Sequence, residues 1–297
     1  MIRVLFFLLT LVCVPYTNAQ ILDNSNCDVF SDNNFFNSEF IKKNGITTIH
    51  SKISIKREMK PIKVTPLWQQ YDFDRYGRVI RMMETYYVGT QIDTSLVQFK
   101  YAGDHLNKKR LSDPKGFYSF SYQYDDDGNM TQKTYSREVN ANPETHNFEL
   151  GQLIEVYKER YEKKIISDTK IKTTIYNSSD KPYQTVFKEY DEYGNFIKEV
   201  STLVVTRKGS RTVYTYDAYH RPVVKTEINN LFGKSETRYE YEYDEAGNLL
   251  QEKKFEDDVL KSTREFLYDG RMLLSARLTK DEQTGTIQII KYSCTFD

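Results

Sequence analysis

A seven-residue pattern recurs along this chain and limits what it can fold into. It runs aromatic, aspartate, two variable residues, glycine, a polar residue, then an apolar one. Clean copies are Phe73-Asp74-Arg75-Tyr76-Gly77-Arg78-Val79, Tyr124-Asp125-Asp126-Asp127-Gly128-Asn129-Met130, Tyr190-Asp191-Glu192-Tyr193-Gly194-Asn195-Phe196 and Tyr243-Asp244-Glu245-Ala246-Gly247-Asn248-Leu249. An aspartate opening a tight turn accepts backbone N–H bonds through its side chain. Three residues later the chain leaves the turn with φ > 0, which glycine adopts without steric cost. Each copy is therefore expected to be a hairpin turn, with one strand ending on the aromatic and the next starting on the apolar residue. Two copies are altered. Tyr216-Asp217-Ala218-Tyr219-His220-Arg221-Pro222 puts His220 at the glycine position, so a different turn type is expected there. Tyr268-Asp269-Gly270-Arg271-Met272 reads as a copy shortened by two residues.

The copies are periodic. Tyr190 to Tyr216 is 26 residues, Tyr216 to Tyr243 is 27, Tyr243 to Tyr268 is 25, and Phe73 to Tyr124 is 51, or two periods. Tyr101-Ala102-Gly103-Asp104 fills the middle of that last gap as a worn copy, and Phe148 to Leu153 reads as another. Tyr176-Asn177-Ser178-Ser179-Asp180 resembles the motif but lies 14 residues before Tyr190, off the period.

Between the turns the residues alternate. In Arg238-Tyr239-Glu240-Tyr241-Glu242-Tyr243 the tyrosines fall on one face and the charges on the other, because strand side chains alternate with period two. With 24 tyrosines, 17 phenylalanines and only 7 prolines, the composition favours strands. The expected fold is all-β: an antiparallel hairpin-repeat array, a meander or solenoid sheet spanning residues 67–297. Its tyrosine face is either buried or, at Tyr239, Tyr241 and Tyr243, a surface for stacking on a sugar or anchoring a protein partner.

Residues 20–66 read differently. Ser31-Asp32 is a candidate cap for a short helix carrying Phe35, Phe36, Phe40 and Ile41, with Gly45 as its stop. Ile46 to Ile55 then alternates like a strand. The segment is expected to cap the amino end of the array. Before it, Arg3, the apolar run from Val4 to Val12, and Thr17-Asn18-Ala19 form a secretory signal peptide over residues 1–19, with cleavage between Ala19 and Gln20. Cys13 follows Val12 where a lipobox needs a small residue, so lipidation is disfavoured. The apolar run is too short to span a bilayer, which takes about 20 residues, and no later run is longer. The expected location is secreted or periplasmic. Cys27 and Cys294 remain after cleavage and form a possible disulfide; an open array would hold them too far apart to pair, which favours two buried or unpaired thiols.

Lysine plus arginine is 42 and aspartate plus glutamate is 42, giving no net charge and no footprint for nucleic acid or anionic lipid. His50, His105, His146 and His220 have no metal-ligand spacing, and Asp125-Asp126-Asp127-Gly128-Asn129 lacks the pattern of a calcium loop. No hydrolase elbow or phosphate-cradling loop is present. Asn129-Met130-Thr131 and Asn177-Ser178-Ser179 are glycosylation sequons. No catalytic constellation, cofactor or metal site is expected.

The motif resembles the YD repeat of Rhs proteins, found also in insecticidal toxin complexes and teneurins, over about Phe73 to Leu278. The resemblance implies β-hairpins winding into a shell, used around a toxic C-terminal domain or in surface adhesion. Few repeats and a short stretch after Leu278 lead to the expectation of a small exported member without an enclosed toxin. The functions to weigh are a non-catalytic binding or scaffold module at the envelope, with a protein or glycan partner; a component of a polymorphic-toxin or contact-competition system; and a carbohydrate-active enzyme using surface carboxylates.

Overall fold

The computed structural model describes residues 20–24, 35–113, 116–141, 150–231, 233 and 235–297. The residues assigned to the signal peptide, including Ala19, lie outside them, as do Cys27, Ser31, Asp32 and His146. Among these described residues eighteen strands follow one short helix. They are β1 (Ile46–Lys56), β2 (Lys63–Phe73), β3 (Val79–Val88), β4 (Gln91–Ala102), β5 (His105–Asp113), β6 (Gly116–Tyr124), β7 (Met130–Asn140), β8 (Leu150–Ser167) and β9 (Lys170–Tyr176) in the first half. The second half holds β10 (Pro182–Tyr190), β11 (Phe196–Leu203), β12 (Gly209–Tyr216), β13 (Pro222–Ile228), β14 (Thr237–Tyr243), β15 (Leu249–Glu256), β16 (Val259–Tyr268), β17 (Leu274–Asp281) and β18 (Ile287–Phe296).

Every strand pairs antiparallel with the one before and the one after it, and β1 pairs with both β2 and β18. The array is thus not an open meander or solenoid. It closes into an 18-stranded barrel, in which no strand edge is left unpaired. The Asp297 amide donates to the Gly45 carbonyl at 3.0 Å, so the two ends of the sheet meet. The open-array objection to pairing Cys294 with a cysteine near the amino end therefore falls away. The expected boundary at residue 66 lies inside β2, and β1 is a barrel strand rather than part of a separate cap.

A source of the closure sits at the motifs. The register slips at each motif aromatic, between Asp72 and Phe73, Gln123 and Tyr124, Glu189 and Tyr190, Thr215 and Tyr216, Glu242 and Tyr243, and Leu267 and Tyr268. A β-bulge bends its strand and sharpens the right-handed twist, and regularly placed bulges curl a sheet. All six lie at the same end of the barrel, because every motif joins an even-numbered strand to the next odd one.

Register carries one set of alternating side chains around the inside. It includes Ile49, Tyr71, Val97, Tyr214, Tyr241, Phe266 and Ile290. The N-terminal segment identifies this face as the interior. Ile21, Leu22, Phe35, Phe36, Phe40 and Ile41 are buried in one cluster with residues from β1–β4 and from β12–β16. A short segment reaches both arcs only from within the ring. The opposite face carries His50, Arg81, Arg160, Arg211, Glu242, Glu265 and Lys291.

The segment is a plug in the motif end of the barrel. Leu22 bridges Phe36, and helix α1 (Ser38–Lys43) follows. Its cap is Asn37, whose side-chain oxygen accepts from the Glu39 and Phe40 amides at 3.1 and 3.2 Å. The helix is therefore shorter than expected and starts later than Ser31-Asp32 would place it. Gly45, at φ +61°, follows it as anticipated.

Candidate functional site: the closed rim of the barrel

In each motif turn one aspartate organises the loop. Asp74 Oδ1 accepts from the Tyr76 amide at 2.9 Å and the Arg78 amide at 3.0 Å, while the Asp74 carbonyl accepts from the Gly77 amide at 2.9 Å. The same pattern recurs at Asp125, Asp191, Asp217 and Asp269, and at Asp244 the Asn248 amide donates at 2.7 Å. Where the residue closing the turn is polar, its side chain also returns to the aspartate: Arg78 and Arg221 as ion pairs at 2.7 Å, Asn195 and Asn248 through their side-chain amides. Burial pushes the carboxyls of Asp74, Asp191 and Asp217 up. The donors from the turn outweigh it and hold all three below the usual carboxylate range.

Two expectations about the altered copies are corrected. His220 does not change the turn type: its amide donates to the Asp217 carbonyl at 3.1 Å with φ +61°, in the same left-handed position as the glycines. The last copy is not shortened. Met272 fills the glycine position with φ +62° and donates to the Asp269 carbonyl at 3.0 Å. In both, the bonds around the aspartate hold a residue with a Cβ where glycine alone would be free of strain. Gly103, at φ +57°, turns β4 into β5 on this same rim; Leu150 begins β8 at the opposite rim, and Phe148 and Glu149, the start of the other worn copy, lie outside the described residues. The Asn177 turn lies on the opposite rim too, since it joins odd β9 to even β10. That placement explains its spacing: 14 residues is about one strand, and a full period is two.

The motif tyrosines bind neighbouring hairpins together. Tyr101, Tyr124, Tyr216, Tyr243 and Tyr268 donate through their hydroxyls to the carbonyls of Val79, Leu106, Phe196, Pro222 and Leu249, at 2.6 to 2.9 Å. Each acceptor is at or next to the start of the preceding odd-numbered strand. The first copy has Phe73 here, where no earlier motif offers a carbonyl. Tyr268→Phe is expected to lose about 1 kcal/mol, because it leaves the Leu249 carbonyl without its donor; urea unfolding of the two proteins checks it, and an unchanged midpoint counts against the ladder.

Below the plug the interior is polar as well as aromatic. Arg264 pairs with the buried Glu252 at 2.9 Å, and Lys225 pairs with Glu227 at 2.8 Å. Burial raises the Glu252 carboxyl and the Tyr71 and Tyr292 hydroxyls, and lowers the Arg277 guanidinium. The Cys294 thiol, packed against the core, is pushed up to about 11 by its burial. Tyr239, Tyr241 and Tyr243 all face this interior. Tyr241 is buried and the other two are half-buried, so a partner meets them only from within the barrel.

At the closed rim the plug and the turns enclose a cleft of about 620 Å³, lined by Gln20, Asp23, Asn24, Glu39, Arg78, Tyr101, Asp104 and Tyr219 to Pro222 with Tyr243. Asn24 Nδ2 donates to the Tyr243 hydroxyl at 2.8 Å. Asn24 is buried, and its Oδ1 has no hydrogen-bond partner among the described residues. Tyr219 stands on the lip, 65% exposed, with the Arg221 guanidinium 5.0 Å from its ring centre. Tyr193 continues the aromatic edge, its ring 5.0 Å from that of His220. Reading the sequence for alternation missed this site. Its trace is a repeated position: Tyr76, Tyr193 and Tyr219 each sit two residues after a motif aspartate. Among the described residues no group of three or more His, Cys, Asp or Glu side chains is placed to hold a metal ion. No described helix is long and apolar enough to cross a membrane.

No protein-family model matches the chain, and no curated protein matches it. Among solved structures, a porin-like protein from Bacteroides uniformis aligns over 84% of this chain and 98% of its own, at 11% identity and a TM-score of 0.39. A porin-like protein from Bacteroides vulgatus aligns over 85% and 98%, at 10% identity and a TM-score of 0.34. The TcdB2-TccC3 structure without its hypervariable C-terminal region aligns over 72% of this chain and 12% of its own, at 17% identity and a TM-score of 0.29.

Proposed function

We propose that this protein is a non-catalytic, exported binding or scaffold module of the cell envelope or its surroundings: a water-facing β-shell whose partner is a protein or a glycan. The observation that carries the reading is the outward face of the barrel. A barrel embedded in lipid presents an apolar band about 25 Å tall, and an arginine or lysine at its midplane costs about 2–4 kcal/mol. Here outward positions in mid-strand hold Arg160 in β8, Arg211 in β12, Glu240 in β14 and Glu265 in β16. On β5 the outward Lys108 and Arg110 both pair with Glu138 of β7 at 2.6 Å. Charge of this density on the outside suits water, and the plugged rim suits a shell rather than a pore. The polar, ion-paired interior serves as the wall of that shell.

Fractionation tests the location. The exported chain is expected in the soluble fraction without detergent. Recovery with integral membrane proteins after an alkaline wash would overturn the reading. Immobilised protein exposed to envelope extracts is expected to retain a specific partner, and captures that match an unrelated β-barrel would count against a binding role.

A further inference from the structure

We propose that the cleft at the closed rim is a binding site for a neutral saccharide. The proposal rests on the binding-module reading and names its ligand. Three features of the cleft decide the chemistry. First, its two guanidinium groups are already used: Arg78 by Asp74 and the Gly103 carbonyl, Arg221 by Asp217 and the Asp244 carbonyl. The remaining charges on the wall are the carboxylates of Asp23, Glu39 and Asp104. Cleavage before Gln20 adds one α-amine beside these three carboxylates, so a phosphate or carboxylate ligand would still meet mostly acceptors and an anion is disfavoured. Hydroxyl donors suit the same wall, because a carboxylate accepts through both oxygens.

Second, Asn24 is only 5% exposed, yet its Oδ1 lacks a hydrogen-bond partner among the described residues while its Nδ2 is held by Tyr243. Buried polar atoms are ordinarily paired, and one left over on a cleft wall is open to a donor from a ligand. A sugar hydroxyl supplies one. Third, the lip is aromatic, with Tyr219 beside His220 and Tyr193 beyond it. The C–H face of a pyranose packs on such a ring while its hydroxyls turn to the polar wall, and tyrosine combines an apolar body with a polar tip. An aromatic platform on the lip, a buried acceptor within, and a wall rich in acceptors together fit a ligand with one apolar face and a rim of hydroxyls. About 620 Å³ accommodates one or two sugar rings.

The test is calorimetric titration of the full exported chain with purified cello-, chito- and manno-oligosaccharides, with spermidine and inorganic phosphate as charged controls. Each is repeated with Tyr219→Ala, Asn24→Ala and, on the opposite rim, Tyr87→Ala. Circular dichroism and thermal unfolding confirm that each variant is folded. Saturable binding of an oligosaccharide, weakened roughly tenfold or more by Tyr219→Ala and by Asn24→Ala but not by Tyr87→Ala, is the expected result. Binding that survives both cleft substitutions places the ligand elsewhere and overturns the site. Binding of spermidine or phosphate but no oligosaccharide overturns the ligand class, as does the absence of any titration signal. Failure of every sugar alongside specific capture of an envelope protein sinks this inference and leaves the binding-module reading standing.

Discussion

Gly77→Ala is expected to destabilise the protein far more than Gly194→Ala, although both replace the same position of the same motif. Gly77 and Gly194 have φ of +77° and +83°, so an alanine at either pays for the left-handed backbone, about 1–2 kcal/mol. Their surroundings differ. A Cβ on Gly194 would meet nothing within 4 Å. A Cβ on Gly77 would overlap the Ser38 carbonyl oxygen and stand 2.8 Å from the Lys42 amide nitrogen, both backbone atoms of α1. Backbone cannot rotate away as a side-chain tip can, so the helix must lift from the turn, at a further cost of about 1–3 kcal/mol. Urea unfolding measures the difference. Limited proteolysis gives its location: Gly77→Ala should open cleavage at Lys42 and Lys43, and Gly194→Ala should not. Equal losses in the two variants, with no new cleavage, would mean that the plug is not seated on the β2–β3 turn.

That contrast marks the limit of what could be read from the amino-acid sequence. The turns were legible because their physics is local. An aspartate that accepts two amides within four residues, and a glycine that leaves with φ > 0, need nothing from the rest of the chain. Alternation was legible for the same reason: Tyr239, Tyr241 and Tyr243 do share a face. What that face meets was not legible. The plug that fills the rim comes from residues roughly 170 to 250 positions earlier than Tyr214 and Phe266, and no local pattern links them. Closure was hidden in the same way. It depends on β1 matching β18, some 240 residues apart, and on six bulges adding their curvature. Those bulges had a trace in the residue between each glycine and the next strand, but not in any single turn. His220 and Met272 were misread because a left-handed residue with a Cβ looks forbidden in isolation. Five hydrogen bonds around Asp217 and four around Asp269 hold them there. The cleft was missed altogether, since its wall joins Asn24 and Glu39 to the turn after Asp217.

The second large effect is expected at the centre of the plug. Phe36 is buried, and its ring lies 4.5 Å from that of Phe35, 5.1 Å from Tyr71 and 5.5 Å from Phe73, the last two edge-on. Such pairs add to the burial of the ring itself. Phe36→Ala should therefore cost about 3–5 kcal/mol, the usual range for emptying a buried phenylalanine site. Phe187→Ala is the comparison: that ring is on the outward face of β10 and 42% exposed, so its removal should change stability by no more than about 0.5 kcal/mol. The two outcomes depend on which face is inside. If the register were reversed, Phe187 would be the core residue and Phe36 the surface one. Cys294 provides an independent readout, because it packs against the same cluster near the rim and its thiol is pushed up by burial. Under reducing conditions, maleimide labelling of Cys294, followed by peptide mapping, should be slow in the parent protein and in Phe187→Ala. It should accelerate in Phe36→Ala as the plug loosens and water reaches β18. A Phe36→Ala protein with unchanged stability and an unreactive Cys294 would show that the N-terminal segment rests on the barrel without closing it. The cleft between segment and rim would then lose one of its walls.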